Sequence, residues 1–280
     1  MNRANMSIPK FAILILSYSA ALFSLAIMLS ANSCATTEIS DKDLTERPLH
    51  YTGLENVILT NATPSQIKEY TGFTVSFNKD NHTPNYVAWE LLGSEVQNEV
   101  ERSNNFWQDS EIIGCPAHRD YTNSGYDRGH MCPAADQKWS EEAMYDCFVM
   151  ANMCPQDHQL NAGAWNTLEN KERQWAQRDS ALMIIAGPIY TDEDKQRIGD
   201  IGVRVPGAFF KVLAAPYLSE PRGIAFVYPN MTSPGNMEGY AMSIRQLEEL
   251  LGYDFFAALP DHIENSIEET YSFREWNKSK

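Results

Sequence analysis

Residues 126–136 read YDRGHMCPAAD. Four consecutive positions hold an acid, a base, a glycine and a histidine (Asp127, Arg128, Gly129, His130), with cysteine and proline just behind. A turn with a surface ion pair would account for Asp127 and Arg128 alone. The chain as a whole carries a net charge of −15, so Arg and His gathered beside Asp raise the question of what else converges there.

The first answer lies downstream, in NAGAWNTLENKER, where Asn161, Glu169 and Arg173 are spaced by eight and four. On an unbroken α-helix eight residues advance about 12 Å and turn about 80° away from the starting direction. Asn161 and Glu169 therefore cannot both ligate one ion directly from a continuous helix. Gly163 suggests that the helix begins just after Asn161, which places Asn161 in the lead-in turn and lets Glu169 reach an ion's water shell. Such a set suits magnesium, which favours oxygen, keeps several waters and often takes only one or two protein ligands. A neutral His130 could then take a proton from an attacking water. Arg128 and Arg173 could place charge-assisted hydrogen bonds on a phosphate. The reaction this describes is phosphodiester hydrolysis with one metal ion.

Composition sets limits on that reading. The 280 residues are 43% hydrophobic and 11% aromatic, ample for a large core. The acidic balance excludes tight, salt-driven nucleic-acid binding by a broad basic surface. Only seven Lys and Arg occur from Arg102 to Arg178, so a polyanion needs a local basic pocket or a bridging metal. Binding should be weak, salt-sensitive and metal-dependent.

At the N-terminus, Arg3 and Lys10 precede the apolar run FAILILSYSAALFSLAIML (residues 11–29) and then SANSC. A charged region, an apolar region and small residues make an export signal. The preferred reading is a lipoprotein leader over 1–33 with Cys34 as the lipidated first residue, although Ala31 stands where such boxes favour leucine. A plainly cleaved signal also fits, as does an uncleaved anchor, since the run approaches the roughly 20 residues that span a bilayer. All three place the body outside the cytoplasm, in the periplasm or at the cell surface. Removing the leader takes away two cations, so −15 becomes −17. Residues 34–50 are polar and aperiodic, a tether, and residues 51–280 form one domain.

Several segments read as strands. FTVSF, the turn residues NKDNHTPN and YVAWELL make a hairpin signal. CFVMANM, ALMIIAGPIY, AFFKVLAAPY and GIAFVYPN read as further strands. Helices are expected over AWNTLENKERQWAQRDS, over SIRQLEELLGY with a Ser cap and a Gly stop, and over DHIENSIEETY. The fold class is α+β, an antiparallel-rich central sheet flanked by helices.

At these residues the chain resembles a known family. DRGH, then NM-x-PQ (Asn152, Met153, Pro155, Gln156), then N-x-G-x-W-x-x-L-E-x-x-x-R, is similar to the signature of the DNA/RNA non-specific endonucleases. The lead-in HRDYTNSGYDRGH looks like the endonuclease G branch, and the similarity extends from about Val75 to Glu269. The resemblance implies a ββα-metal (His-Me finger) site, His130 as general base and Asn161 as the direct ligand of Mg²⁺, with Mn²⁺ as a possible substitute. It implies Glu169 holding a metal-bound water and Arg128 and Arg173 near the scissile phosphate. Asn152 supports the site, and Asp127 shapes the turn. Arg102 falls near a further phosphate-contacting arginine, at a different spacing. DNA and RNA are the implied substrates, and a homodimer is open.

Each residue has a plainer reading. Asn161 could merely cap a helix, Glu169 and Arg173 could be a surface i,i+4 pair, and Trp165 and Trp175 read better as core than as stacking platforms. An inactive nucleic-acid-binding lipoprotein on the same scaffold is the rival from another class; a phosphodiesterase for small nucleotides is the narrower one. His118 and His158 lie near cysteines but fit no closed zinc pattern. Cysteines of an exported domain read as disulfides. Seven residues of strand would hold Cys147 and Cys154 roughly 23 Å apart, beyond the ~7 Å a bridge allows. A Cys132–Cys154 bond would tie the His130 strand to the Asn152 strand, and with Cys115–Cys147 it is the favoured pairing.

Overall fold

Uninterrupted apolar runs on several strands demand a sheet covered on both faces, and the chain builds one. The computed structural model describes residues 51–59, 63–97, 100–233 and 235–278. The strands are β1 (Ile58–Leu59), β2 (Gln66–Tyr70), β3 (Phe73–Asn78), β4 (Thr83–Leu92), β5 (Asp127–His130), β6 (Met153–Gln156) and β7 (Ala181–Ile189). After them come β8 (Arg197–Ile198), β9 (Val203–Arg204), β10 (Ala208–Ala215), β11 (Arg222–Pro229), β12 (Ala241–Met242) and β13 (Tyr253–Asp254). The helices are α1 (Glu141–Asp146), α2 (Asn166–Asp179), α3 (Ile244–Leu251), α4 (Asp261–Glu269) and α5 (Phe273–Trp276).

Seven strands form the central sheet in the order β12-β11-β10-β7-β4-β3-β2. Every neighbouring pair is antiparallel. The expected β3–β4 hairpin is there, and so are the later strands. β7 is buried at all nine positions, because successive side chains enter two different cores. Leu182, Ile184 and Ala186 join Trp165, Leu168 and Trp175 on one face. Met183 and Ile185 join Leu247, Phe255 and Ile267 on the other. Trp165 and Trp175 are therefore core residues, 0% and 3% exposed.

The helices obey local rules. Ser243 and Gln246 form a reciprocal capping box at the start of α3, and Gly252 ends it in the left-handed conformation (φ 67°). No helix among the described residues is long and apolar enough to cross a membrane. The expected leader, tether and lipidated Cys34 fall on residues 1–50, outside the described residues.

Two expectations need correcting. CFVMANM is not a strand: Cys147 follows the last residue of α1, and Met150–Asn152 is a 3₁₀ turn. Only Met153 onward is extended. The reason is tertiary, since the Asn152 carboxamide donates to the carbonyls of Cys132 (2.9 Å) and Cys147 (2.8 Å) and bends the segment around itself. The ~23 Å separation drawn from an extended strand accordingly does not apply.

The expected disulfides are absent too. Cys115, Cys132, Cys147 and Cys154 are all buried free thiols. On the β5–β6 ladder Cys154 faces Gly129, three residues from Cys132. The Cys132 sulfur instead accepts from Gln137 Nε2 (3.2 Å), and the Cys147 thiol donates to the Met144 carbonyl (3.1 Å). Burial pushes the Cys115 and Cys147 thiols up to about 12 and raises those of Cys132 and Cys154 well above the usual thiol range. These sulfurs act as inert packing groups.

Candidate active site

The site is assembled on a two-stranded ladder and the turn that leads into a helix. β5 and β6 pair antiparallel, with Asp127 opposite Gln156 and His130 opposite Met153. Gly129 is required by closeness: a Cβ there would lie 2.6 Å from the Gln156 Cβ. Beyond β6, Asp157 Oδ1 accepts from the backbone N–H groups of Gln159 (2.9 Å) and Leu160 (3.2 Å), starting the next turn. Residues Leu160–Trp165 form a widened, π-type turn broken at Gly163 (φ −105°, ψ −105°), and α2 begins at Asn166. Asn161 thus lies in the lead-in turn and Glu169 in the first turn of α2. Two strands and a helix make the expected ββα finger.

His130 is 9% exposed, and its Nε2 is buried without a hydrogen-bond partner. The ring hydrogen-bonds the Arg128 backbone, whose carbonyl accepts from Nδ1–H because Nε2 is unpartnered. That fixes the neutral tautomer with the Nε2 lone pair free. Burial first, then the Arg102 charge, lower its pKa to about 3. At neutral pH the group is a base, never an acid.

Around the ring stands an aromatic platform. Phe148 meets His130 edge-on at 4.9 Å, Phe106 lies at 5.8 Å, and the two phenyls are 5.0 Å apart. The Arg102 guanidinium lies over Phe148 (5.2 Å) and Arg128 over Phe106 (4.9 Å). Neither forms an ion pair among the described residues. Stacking holds both cations without neutralising them. An open cavity of about 590 Å³ adjoins Arg128, lined also by Phe106, His118, Tyr126, Asp127 and Asn161.

The metal-ligand expectation can be tested on hydrogen bonding. Asn161 Nδ2 donates to Asp127 Oδ2 (2.8 Å), which also pairs with His158 Nδ1 (2.8 Å). A carboxylate only accepts, so it selects the amide nitrogen and leaves Asn161 Oδ1 free. The Glu169 carboxylate has no hydrogen bond or ion pair among the described residues; burial raises its pKa, and Lys211 is the largest opposing influence. One free carboxamide oxygen and one free carboxylate fit a hydrated hard cation.

Two expected site residues are placed differently. Arg173 is committed elsewhere: Nη1 donates to the fully buried Asp136 (2.7 Å) and Nη2 to Asn170 Oδ1 (2.9 Å). Asn152 is 0% exposed and spends its carboxamide on backbone, accepting from Cys132 N–H (2.9 Å) as well as making the two donations above. It holds the chain on either side of the finger rather than facing the cavity.

A family model described as DNA/RNA non-specific endonuclease matches residues 53–262. The chain belongs to that family. It is similar to a nuclease of Nostoc sp., 34% identical over 217 residues that cover 70% of this chain and 75% of the relative. The mitochondrial nuclease EXOG of Danio rerio is 33% identical over 207 residues, covering 68% of this chain and 60% of its own length. The chain thus spans about three fifths of the EXOG relatives it matches. Among solved structures, the crystal structure of the EndoG/EndoGI complex aligns with a TM-score of 0.65 at 27% identity, over 70% of this chain and 89% of that one.

Within this endonuclease fold, several supports of the site escaped the sequence reading. Asp127 orients Asn161, a role that its place opposite Gln156 did not announce. Phe106 and Phe148 carry no motif. Lys211, on β10, is 0% exposed between Trp165 (4.6 Å) and Trp89 (5.5 Å) and pairs with Glu172 (3.1 Å). A lone lysine inside AFFKVLAA, an otherwise apolar strand, was the one signal available.

Proposed function

We propose that this chain is a Mg²⁺-dependent, sugar-non-specific endonuclease that hydrolyses phosphodiester bonds of DNA and RNA. The observation that carries the reading is His130: a buried, neutral imidazole whose Nε2 lone pair has no partner and faces no competing proton at neutral pH. Nε2 takes the proton from the attacking water. Arg128 and Arg102 remain unneutralised beside it and are free to bind the phosphate, whose charge grows as the bond to water forms. Asn161 would hold the metal through Oδ1, and Glu169 would hold water on it. When bound, magnesium supplies Lewis-acid stabilisation of charge on the phosphate and the leaving oxygen; Mn²⁺ would serve as a substitute. Arg173 and Asn152 position the machinery without touching substrate.

Few basic groups line this region, so recognition rests on the two stacked arginines and the metal, which accounts for activity without base readout. We further propose export, with Cys34 as the lipidated anchor. Purified protein lacking residues 1–34 should degrade plasmid DNA and RNA with Mg²⁺ and stop on chelation. No degradation of either between about pH 6 and 9 overturns the reading. Cleavage of dinucleotides but not of long chains would replace it with a small-nucleotide phosphodiesterase.

A further inference from the structure

On the face of the sheet opposite the finger, α3, β13 and α4 bring three carboxylates together. Glu248 lies in the last turn of α3, Asp254 on β13 and Glu268 in the last turn of α4. Glu248 and Glu268 are 6% and 1% exposed, against the apolar cluster that includes Phe255 and Ile267. One ligand oxygen from each of the three lies within 4.8 Å of the others. Two oxygens that each sit about 2.4 Å from a shared calcium can be at most about 4.8 Å apart, so the side chains already stand within range of one ion.

The resident countercharge is incomplete. Arg245 Nη1 donates to Glu248 Oε2 (3.0 Å), while Nη2 donates to Asn265 Oδ1 (3.3 Å) and lies 2.7 Å from Glu268 Oε2 as an ion pair. Glu248 Oε1 accepts from the Phe255 N–H (2.8 Å). Both Glu268 carboxylate oxygens are buried with no hydrogen-bond partner, and the Asp254 carboxylate has no hydrogen bond or ion pair among the described residues. Glu264 adds a fourth acid acting on both glutamates. Four carboxylates thus face one guanidinium. A buried charge without a partner is costly, and a cation would answer it.

We propose that Glu248, Asp254 and Glu268 form a second, non-catalytic site for a hard divalent cation, calcium, which ties α3, β13 and α4 together. Glu268, Asp254, one oxygen of Glu248 and waters supply the six to eight oxygens calcium takes, whereas magnesium keeps most of its own waters and a stricter octahedron.

Thermal unfolding of the whole chain, in chelator and in CaCl₂, tests the site without reading activity. Three variants separate the possibilities: Asn161→Ala removes the proposed catalytic ligand, while Glu268→Gln and Asp254→Asn weaken the second site independently. Calcium at about 100-fold its dissociation constant should raise Tm by about 5–10 °C in the wild type and in Asn161→Ala. The rise should fall away in Glu268→Gln and Asp254→Asn. Should Glu268→Gln fail to fold, the half-buried partner Asp254→Asn decides. No calcium-dependent rise in the wild type overturns the proposal. So does a rise that Asn161→Ala abolishes and Asp254→Asn leaves intact, which would assign calcium to the finger alone.

Discussion

The layer between α2 and the central sheet and the open end of the β5–β6 ladder both bury polar groups, but they treat them differently. In the layer, Lys211 meets Glu172, Arg173 meets Asp136, and the Trp89 indole donates to Asp136 (3.1 Å). Asn152, at the root of the ladder, has its carboxamide bonded three times. At the ladder's open end His130 Nε2, Asn161 Oδ1 and the Glu169 carboxylate are left without partners. Bonded groups fix geometry and are unavailable to a ligand; unbonded ones are free for one, and the buried His130 Nε2 also carries a standing desolvation penalty that a substrate can relieve. The two sets meet on α2, which carries Glu169 of the one and Glu172 and Arg173 of the other.

That contrast makes predictions that differ in kind. The largest concerns a reacting group: His130→Ala should cut turnover of plasmid DNA by about 10²–10⁴-fold while Tm stays near the wild-type value. A collapse of folding with the same loss of turnover would move His130 to the bonded set. Lys211→Met should do the opposite, destabilising by about 3–5 kcal/mol in denaturant titration because Glu172 loses its partner at 0% exposure. Adding Glu172→Gln should recover part of that loss; additive losses would contradict a paired role.

Asn152→Ala should cost about 2–4 kcal/mol, since it strips three buried backbone groups of partners. Its activity at low temperature should fall far less than that of His130→Ala. The smallest effect is one of acid stability. The folded pKa of His130, about 3, lies below the roughly 6.5 of an unfolded chain, so between those values the unfolded state binds a proton that the folded state refuses. The stabilisation is complete above about pH 6.5 and drains as pH falls toward 3. Between about pH 6.5 and 4.5 the wild type should lose about 2–3 kcal/mol more than His130→Gln, measured by melting at each pH. Equal losses would mean that the ring is not held neutral.

The unbonded set was the more legible part of the sequence. His130, Asn161 and Glu169 sit in short ordered motifs, and Gly163 announced the break that puts Asn161 ahead of the helix. The strands of the central sheet were readable because their apolar runs are local facts. The bonded set was not, because its partners come from distant segments: Asp136 reaches Arg173 across 37 residues and Lys211 reaches Glu172 across 39. Arg173 carried a family position but gave no sign of its carboxylate. The misreading of CFVMANM has the same origin, since its apolar run suits a strand until the Asn152 side chain bends it. Cysteine number in a chain read as exported suggested bridges; the register that turns Cys154 toward Gly129 could not be read from spacing.

The imidazole of His130 carries the account, and ¹⁵N NMR of the ring observes it directly. A single neutral tautomer, protonated on Nδ1 with an unprotonated Nε2, should persist unchanged from about pH 8 down to about pH 5. A ring that titrates near 6.5, or one that carries its proton on Nε2, would contradict the assignment of that nitrogen as the base.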